Sequence, residues 1–230
     1  LAAGEPDFDT PDHIKAAAIE AINKGFTKYT PVSGTPALKK AIVEKFKRDN
    51  GLEYAANQVL VSVGGKQSFY NLCQAYINDG DEVIIPAPYW VSYPDMTLAC
   101  AGEPVIVPCA ETDDFKLTPA ALEAAITPRT RWLILNSPTN PTGSAYTAAD
   151  FRALADVLLR HPHVLLMTDD IYEHIRFGSE ENPHPVAIEP ALKSRTLVIN
   201  GVSKTYAMTG WRIGWAAGPE DLIAALDMLQ

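Results

Sequence analysis

Apolar residues recur at helical spacing in two places near the start of the chain. Ile14, Ala17, Ala18, Ala21 and Ile22 mark one face, between Thr10-Pro11 and Gly25. Leu38, Ile42, Val43 and Phe46 mark another, between Thr35-Pro36 and Gly51. A threonine cap, a proline at the first helical position and a glycine beyond the end predict both helices. Between them Lys28-Tyr29-Thr30-Pro31-Val32-Ser33-Gly34 reads as a loop. From residue 59 the texture changes. Short runs at 59–63, 82–85, 104–107, 132–135, 164–167 and 197–199 are apolar at successive positions. That is the pattern of strands covered on both faces. Helical patterns at 67–77, 93–101, 119–126 and 148–159 separate most of them. The alternation predicts an α/β fold with three layers, α/β/α, around a mainly parallel sheet. Only about a dozen residues join the sixth run to a seventh at 211–217, the lower limit for a parallel crossover. The seventh strand is therefore expected to be antiparallel. The polar stretch 178–185 is expected to be a surface loop.

Composition excludes several classes. The chain has 230 residues, 47% hydrophobic and 20% charged, which is ordinary globular usage. That length buries a core without staples. Lys and Arg number 19 against 28 Asp and Glu, a net charge of -9, which argues against a nucleic-acid partner. Three cysteines with no C-x-x-C pair suggest neither a disulfide framework nor a zinc site, and the default compartment is the cytoplasm. No metal site is expected: His161 and His163 around Pro162 read as a solvated loop. No apolar run approaches a membrane span. The chain starts at Leu1 with no signal-peptide pattern, and 219–230 reads as a helix beginning without a stop. The expectation is an internal segment of a longer protein.

In an open α/β sheet, ligands bind at the carboxyl ends of the strands. Gly64-Gly65-Lys66 follows the first run and leads into a helix, a place where backbone N–H groups can meet an anion. It is not a P-loop, because Gln67 stands where Ser or Thr is required. Tyr89 and Trp90 follow the second run, and Asn136 and Asn140 follow the fourth. Asp169 and Asp170 end the fifth; a carboxylate there is costly unless paired. Ser203-Lys204 follows the sixth, and Arg212 comes just before the seventh. Lys can form a Schiff base when burial lowers its pKa, and Arg is a fork suited to phosphate. Each residue alone has a bland alternative: a turn, core packing, a cap, a surface charge. Together they suit pyridoxal phosphate, which needs a Lys for its aldehyde, an acid for its ring nitrogen and donors for its phosphate.

The segment Ser203-Lys204-Thr205-Tyr206-Ala207-Met208-Thr209-Gly210-Trp211-Arg212-Ile213-Gly214 resembles the cofactor-lysine signature of the class I/II aminotransferases. Asn140-Pro141-Thr142-Gly143, Asp169 with Tyr172, Lys28-Tyr29-Thr30-Pro31 and Ala3-Gly4-Glu5-Pro6-Asp7-Phe8 match the same family in order. Gly64-Gly65-Lys66 and Tyr89-Trp90-Val91-Ser92-Tyr93 are closest to the bacterial aspartate aminotransferase subgroup.

The resemblance implies the large domain of a pyridoxal-phosphate transferase over 35–218, a partner-contacting segment over 1–34, and at 219–230 the start of a helix toward a C-terminal small domain. It implies Lys204, Asp169 and Tyr172 as catalytic. Cofactor contacts would come from these three and from Gly64, Gly65, Lys66, Trp90, Asn140, Ser203 and Arg212. Tyr29 would reach the phosphate of a partner subunit, hence a homodimer. Gly4, Trp90, Asn140 and Lys66 would touch substrate, Lys66 at the distal carboxylate of a dicarboxylic acid. The implied reaction passes an amino group between an amino acid and a 2-oxo acid, with aspartate and 2-oxoglutarate the favoured pair. A β-lyase on the same cofactor and a non-catalytic sensor module of a transcriptional regulator remain as alternatives. The Arg that grips the substrate α-carboxylate in the family lies beyond the matched segment, a loss that touches substrate recognition; the segment alone is expected to bind cofactor weakly and to transaminate poorly.

Overall fold

The structure is a computed structural model and describes residues 4–177 and 183–230. Helix α1 (Asp12–Asn23) starts at Pro11 as its N-cap, with no side-chain cap. The expected threonine cap fails because Thr10 is engaged elsewhere. Its hydroxyl donates to the Ala207 carbonyl at 2.6 Å and accepts from Trp211 Nε1 at 3.0 Å. Helix α2 (Pro36–Lys45) is capped as expected, by the Thr35 hydroxyl accepting from the Leu38 N–H. It runs into a π-helical turn, Phe46–Asn50, which Gly51 closes at φ 66°, the left-handed region that glycine tolerates.

Seven strands follow: β1 (Val59–Ser62), β2 (Glu82–Ala87), β3 (Glu103–Pro108), β4 (Thr130–Asn136), β5 (Leu165–Asp169), β6 (Thr196–Gly201) and β7 (Gly214–Ala217). They form one sheet in the order β1-β7-β6-β5-β4-β2-β3. The pairings from β6 through β3 are parallel. β7 is antiparallel to both β1 and β6, as its short connection required. The remaining helices are α3 (Gly65–Tyr76), α4 (Ser92–Ala99), α5 (Pro119–Ala125), α6 (Ala148–Arg160), α7 (Pro185–Ile188) and α8 (Glu220–Leu229).

Alternate strand residues divide between two cores. Trp132, Ile134, Leu197 and Ile199 face α3, α4 and α8, through Leu72, Tyr93 and Leu226. Leu133, Leu135 and Leu166 face α5 and α6, through Leu122, Leu154 and Leu158. Val59, Val198 and Trp215 meet α2 and its π-helical turn on that second side, through Ile42 and Phe46. This is the expected three-layer arrangement. One strand departs from the expectation of burial on both faces. β3 ends the sheet, pairs with β2 alone among the described strands, and leaves Ile106 exposed. The expected surface loop 178–185 needs correcting where it is described; 178–182 lie outside the described residues. His184 and Pro185 are buried. His184 Nδ1 accepts from the Val186 N–H at 3.1 Å, and its Nε2 lies 3.2 Å from Asp170 Oδ2.

Candidate active site

After β3 the chain crosses β2 and adds β4 on the other side, so the loops leaving β2 and β4 part. A cleft of about 310 Å³ opens along the carboxyl ends of the parallel strands, where this class of sheet binds ligands. Trp90 after β2, Asn140 after β4, Asp169 at the end of β5, Tyr172 beyond it, and Ser203 and Lys204 after β6 all line it. Arg212, from the β6–β7 connection, lines it too, with Gly65 and Lys66 of α3, and Gly4 of the N-terminal segment. Two expected residues lie outside this wall. Gly64 sits behind it, against Arg212. Tyr29 is fully exposed on its own loop.

Asp169 stands at the cleft floor. Tyr93 of α4 donates its hydroxyl to Asp169 Oδ2 at 2.7 Å, and the Ile171 N–H donates to Oδ1 at 3.3 Å. Burial pushes the Asp169 carboxyl up to about 6; the two hydrogen bonds oppose the rise, and the Asp170 charge adds to it. Asn136 ties the neighbouring strand ends. It donates to the Asp169 carbonyl at 2.7 Å and accepts from the Asn140 N–H at 2.7 Å. That explains one of the two asparagines at the end of β4. The other, Asn140, hydrogen-bonds the Tyr172 side chain.

Lys204 faces this group. Its Nζ donates to the Gly4 carbonyl and lies 5.9 Å above the Tyr172 ring. Burial lowers its pKa; Glu5 pulls the other way, Arg212 lowers it further, and Asp169 opposes. The amine is thereby moved toward the neutral form that a nucleophile needs. Thr209 donates to Glu5 at 3.1 Å, which fastens the N-terminal segment over the Lys204 loop.

At the other end the backbone itself is shaped. Gly64 has φ 82°, and a Cβ there would come within 2.2 Å of Arg212 Nη2. A Cβ on Gly214 would fall 2.3 Å from the Gly65 nitrogen. Only glycine lets β7, the β1–α3 turn and the guanidinium approach this closely. No side chain caps α3, and the Gln67 N–H donates to the Gly64 carbonyl at 3.1 Å, so the Gly65 and Lys66 N–H groups remain for an anion. Arg212 Nη1 donates to the Thr209 carbonyl at 2.7 Å, and Nη2 reaches the Val63 carbonyl at 3.4 Å. Lys66 Nζ lies 5.0 Å over the Trp90 ring.

These residues fit pyridoxal phosphate. A buried acid has no cation within hydrogen-bond distance among the described residues, a helix start with an adjacent Arg is shaped for phosphate, and a depressed Lys lies between them. Two residues escaped the sequence reading. Tyr93 was absorbed into a helical pattern, although it stands three residues after Trp90. Gly214 fell inside the apolar run 211–217, whereas it is the first residue of β7. In both cases the signal was a polar or small residue in an otherwise apolar element.

The model of the aminotransferase class I and II family matches residues 1–230. A probable aspartate/prephenate aminotransferase of Rhizobium leguminosarum bv. phaseoli is 60% identical over all of this chain and 58% of its own length. The aspartate/prephenate aminotransferase of Cereibacter sphaeroides is 62% identical with the same coverage. The crystal structure of the aspartate aminotransferase from Rhizobium meliloti superposes with a TM-score of 0.98 at 58% identity, covering 100% of this chain and 57% of that one. The Thermus thermophilus aspartate aminotransferase with maleate gives 0.94 at 45%, covering 100% and 59%. The chain thus spans under three fifths of the length of these relatives. Family match, fold and cleft agree, and the chain belongs to the class I and II aminotransferases.

Proposed function

We propose that the full-length protein is a pyridoxal-phosphate aminotransferase, with aspartate as the favoured amino donor and 2-oxoglutarate as the favoured acceptor. One observation carries the reading: Lys204, the raised acid Asp169 and the Arg212–α3 anion cradle line a single cleft. The names of the relatives support aspartate and add prephenate as an acceptor to test.

When bound, the cofactor supplies an aldehyde for amine exchange and a ring that withdraws electrons from the substrate Cα. The protein does the rest. Asp169 would hold a proton on the ring nitrogen, and would thereby gain the cation its buried carboxylate lacks. Tyr172 and Asn140 donate toward the ring 3-oxygen. Arg212, Ser203 and the Gly65 and Lys66 end of α3 hold the phosphate, and Gly64 keeps room for the guanidinium. Trp90 would offer its face to the ring. Lys204 would hold the group at its aldehyde and, once its amine is free, would move a proton at the substrate Cα. Gly4 and Asn140 face the substrate, and Lys66 is the cation for a distal carboxylate.

The same reading includes a homodimer in which Tyr29 reaches the phosphate of the partner subunit, and residues 35–218 as the large domain. It places the enzyme in amino-acid biosynthesis in the cytoplasm, where its three free cysteines stay reduced. A donor–acceptor panel on the full-length protein tests it. Aspartate with 2-oxoglutarate or prephenate should give oxaloacetate, and Lys204→Ala should lower turnover by at least a thousandfold. Pyruvate and ammonia formed without an acceptor would favour the β-lyase instead.

A further inference from the structure

Glu173 follows Tyr172 directly, yet it points away from the cleft into a buried polar knot. Its side chain is 3% exposed. Three donors converge on its carboxylate: Lys45 Nζ at 2.5 Å and Asn200 Nδ2 at 2.6 Å on Oε1, and Asn50 Nδ2 at 3.1 Å on Oε2. Lys45 also donates to Asn50 Oδ1 at 2.7 Å. Asn200 Oδ1 accepts from the Gly201 N–H at 2.7 Å. At the open end His174 Nε2 lies 3.6 Å from Glu173 Oε1 and 3.5 Å from Asp49 Oδ2.

Three separate segments meet in this knot. Glu173 belongs to the turn that carries Tyr172. Asn200 belongs to the end of β6, from which Ser203 and Lys204 leave. Lys45 and Asn50 belong to α2 and its π-helical turn. The turn makes the meeting possible. Residues five apart on a regular α-helix point roughly 140° away from each other. The π turn, closed by the Gly51 N–H donating to the Phe46 carbonyl, brings Lys45 and Asn50 to one carboxylate.

A buried ion pair is a poor way to gain stability, since apolar residues of equal volume generally do as well or better. Apolar packing has no direction, however. A carboxylate with three donors fixes the relative height of the segments that supply them. We infer that Glu173, gripped by Lys45, Asn50 and Asn200, is a positioning residue that sets Tyr172 and Lys204 at one level across the cleft floor. The inference rests on the proposed roles of Tyr172 and Lys204 and adds a residue that touches neither substrate nor cofactor.

The test uses the full-length protein and the variants Glu173→Gln, Lys45→Met and the two combined. In cofactor-free protein each single change leaves one buried charge unmatched, and the unfolding midpoint should fall by roughly 10 °C. The double variant should recover most of that loss, which keeps a folded protein available even if a single variant fails to fold. In cofactor-loaded protein the double variant should shift the pH midpoint of the Lys204-linked visible absorbance by about half a unit or more. It should also lower kcat about tenfold with KM within twofold, the signature of misplaced groups. Lys45→Arg, which keeps charge and donors, should restore the midpoint of wild type. A double variant that is folded, loaded and unshifted would overturn the inference while leaving the enzyme assignment intact. A wild-type protein with no such absorbance would overturn both.

Discussion

Asp169 is a buried carboxylate whose burial works against its charge, and the cost depends on pH. An unfolded Asp titrates near 3.8, whereas burial moves folded Asp169 to about 6. Between these values the native chain holds a proton that the unfolded chain has lost. The contribution of Asp169 to stability therefore falls as pH rises through this window. Above it, the charged form costs the cofactor-free fold about 3 kcal/mol. Asp169→Asn removes the cost and can still accept from Tyr93. It should raise the unfolding midpoint of the cofactor-free protein at pH 8, and the gain should vanish near pH 3.5. The same change should lower turnover by orders of magnitude, because a neutral amide cannot keep the ring nitrogen protonated. Thermal unfolding at the two pH values, beside a turnover assay, reads both effects. Tyr93→Phe removes the donor and would push the Asp169 carboxyl higher still, since that hydrogen bond now opposes the rise.

At the scale of elements, the glycines at the β1–α3 turn and at the start of β7 decide how near the backbone comes to the anion cradle. Gly64→Ala adds a Cβ inside the Arg212 guanidinium at a left-handed φ. The side chain of Arg212 can swing away, so the fold should survive while cofactor affinity falls at least tenfold, as fluorescence titration would show. Gly214→Ala has no such escape, because its Cβ meets the Gly64–Gly65 backbone. It should destabilise by roughly 3 kcal/mol or more. The contrast locates what the sequence could reveal. The apolar runs placed all seven strands: burial on two faces leaves an unbroken signature in the central ones, and β3 carries the same kind of run although it is not buried on both faces. The strand ends then brought forward Asp169 and Asn140, whose polar groups need partners there, and Lys204 and Arg212, whose chemistry suits a Schiff base and a phosphate. Edge position was not legible for β3, whose composition matches a central strand. Nor was the rival use of Thr10, because a cap and a long-range hydrogen bond call for the same hydroxyl. The Glu173 knot joins residues 45, 50, 173 and 200, and no local pattern brings those together.

On the scale of the whole molecule, one surface is left without a use inside the chain. α1 buries none of its residues, and Phe26, Tyr29 and Val32 on the loop after it are exposed. Exposed apolar residues in such a row mark a contact surface. A two-fold dimer would cover them twice over and place each Tyr29 loop against its neighbour, as the shared-site reading requires. The end of the loop is held in a fixed path: the Val61 N–H donates to the Ser33 carbonyl at 3.0 Å, and a Cβ on Gly34 would overlap Val61. A hydrogen bond from Tyr29 to a phosphate would strengthen cofactor binding by about tenfold or more. Sharing of this kind has a distinctive consequence. Full-length Lys204→Ala lacks the amine in every site, and full-length Tyr29→Ala lacks the phosphate contact in every site. Unfolded together and refolded at equal ratio, half of the dimers should be hybrids. Each hybrid has one site with both defects and one with neither. At cofactor concentrations too low to load the Tyr29→Ala parent, the mixture should recover about a quarter of the wild-type activity. If Tyr29 served its own subunit instead, each hybrid site would keep one defect and mixing would restore nothing. The recovered fraction, measured against cofactor concentration, therefore decides between the two arrangements.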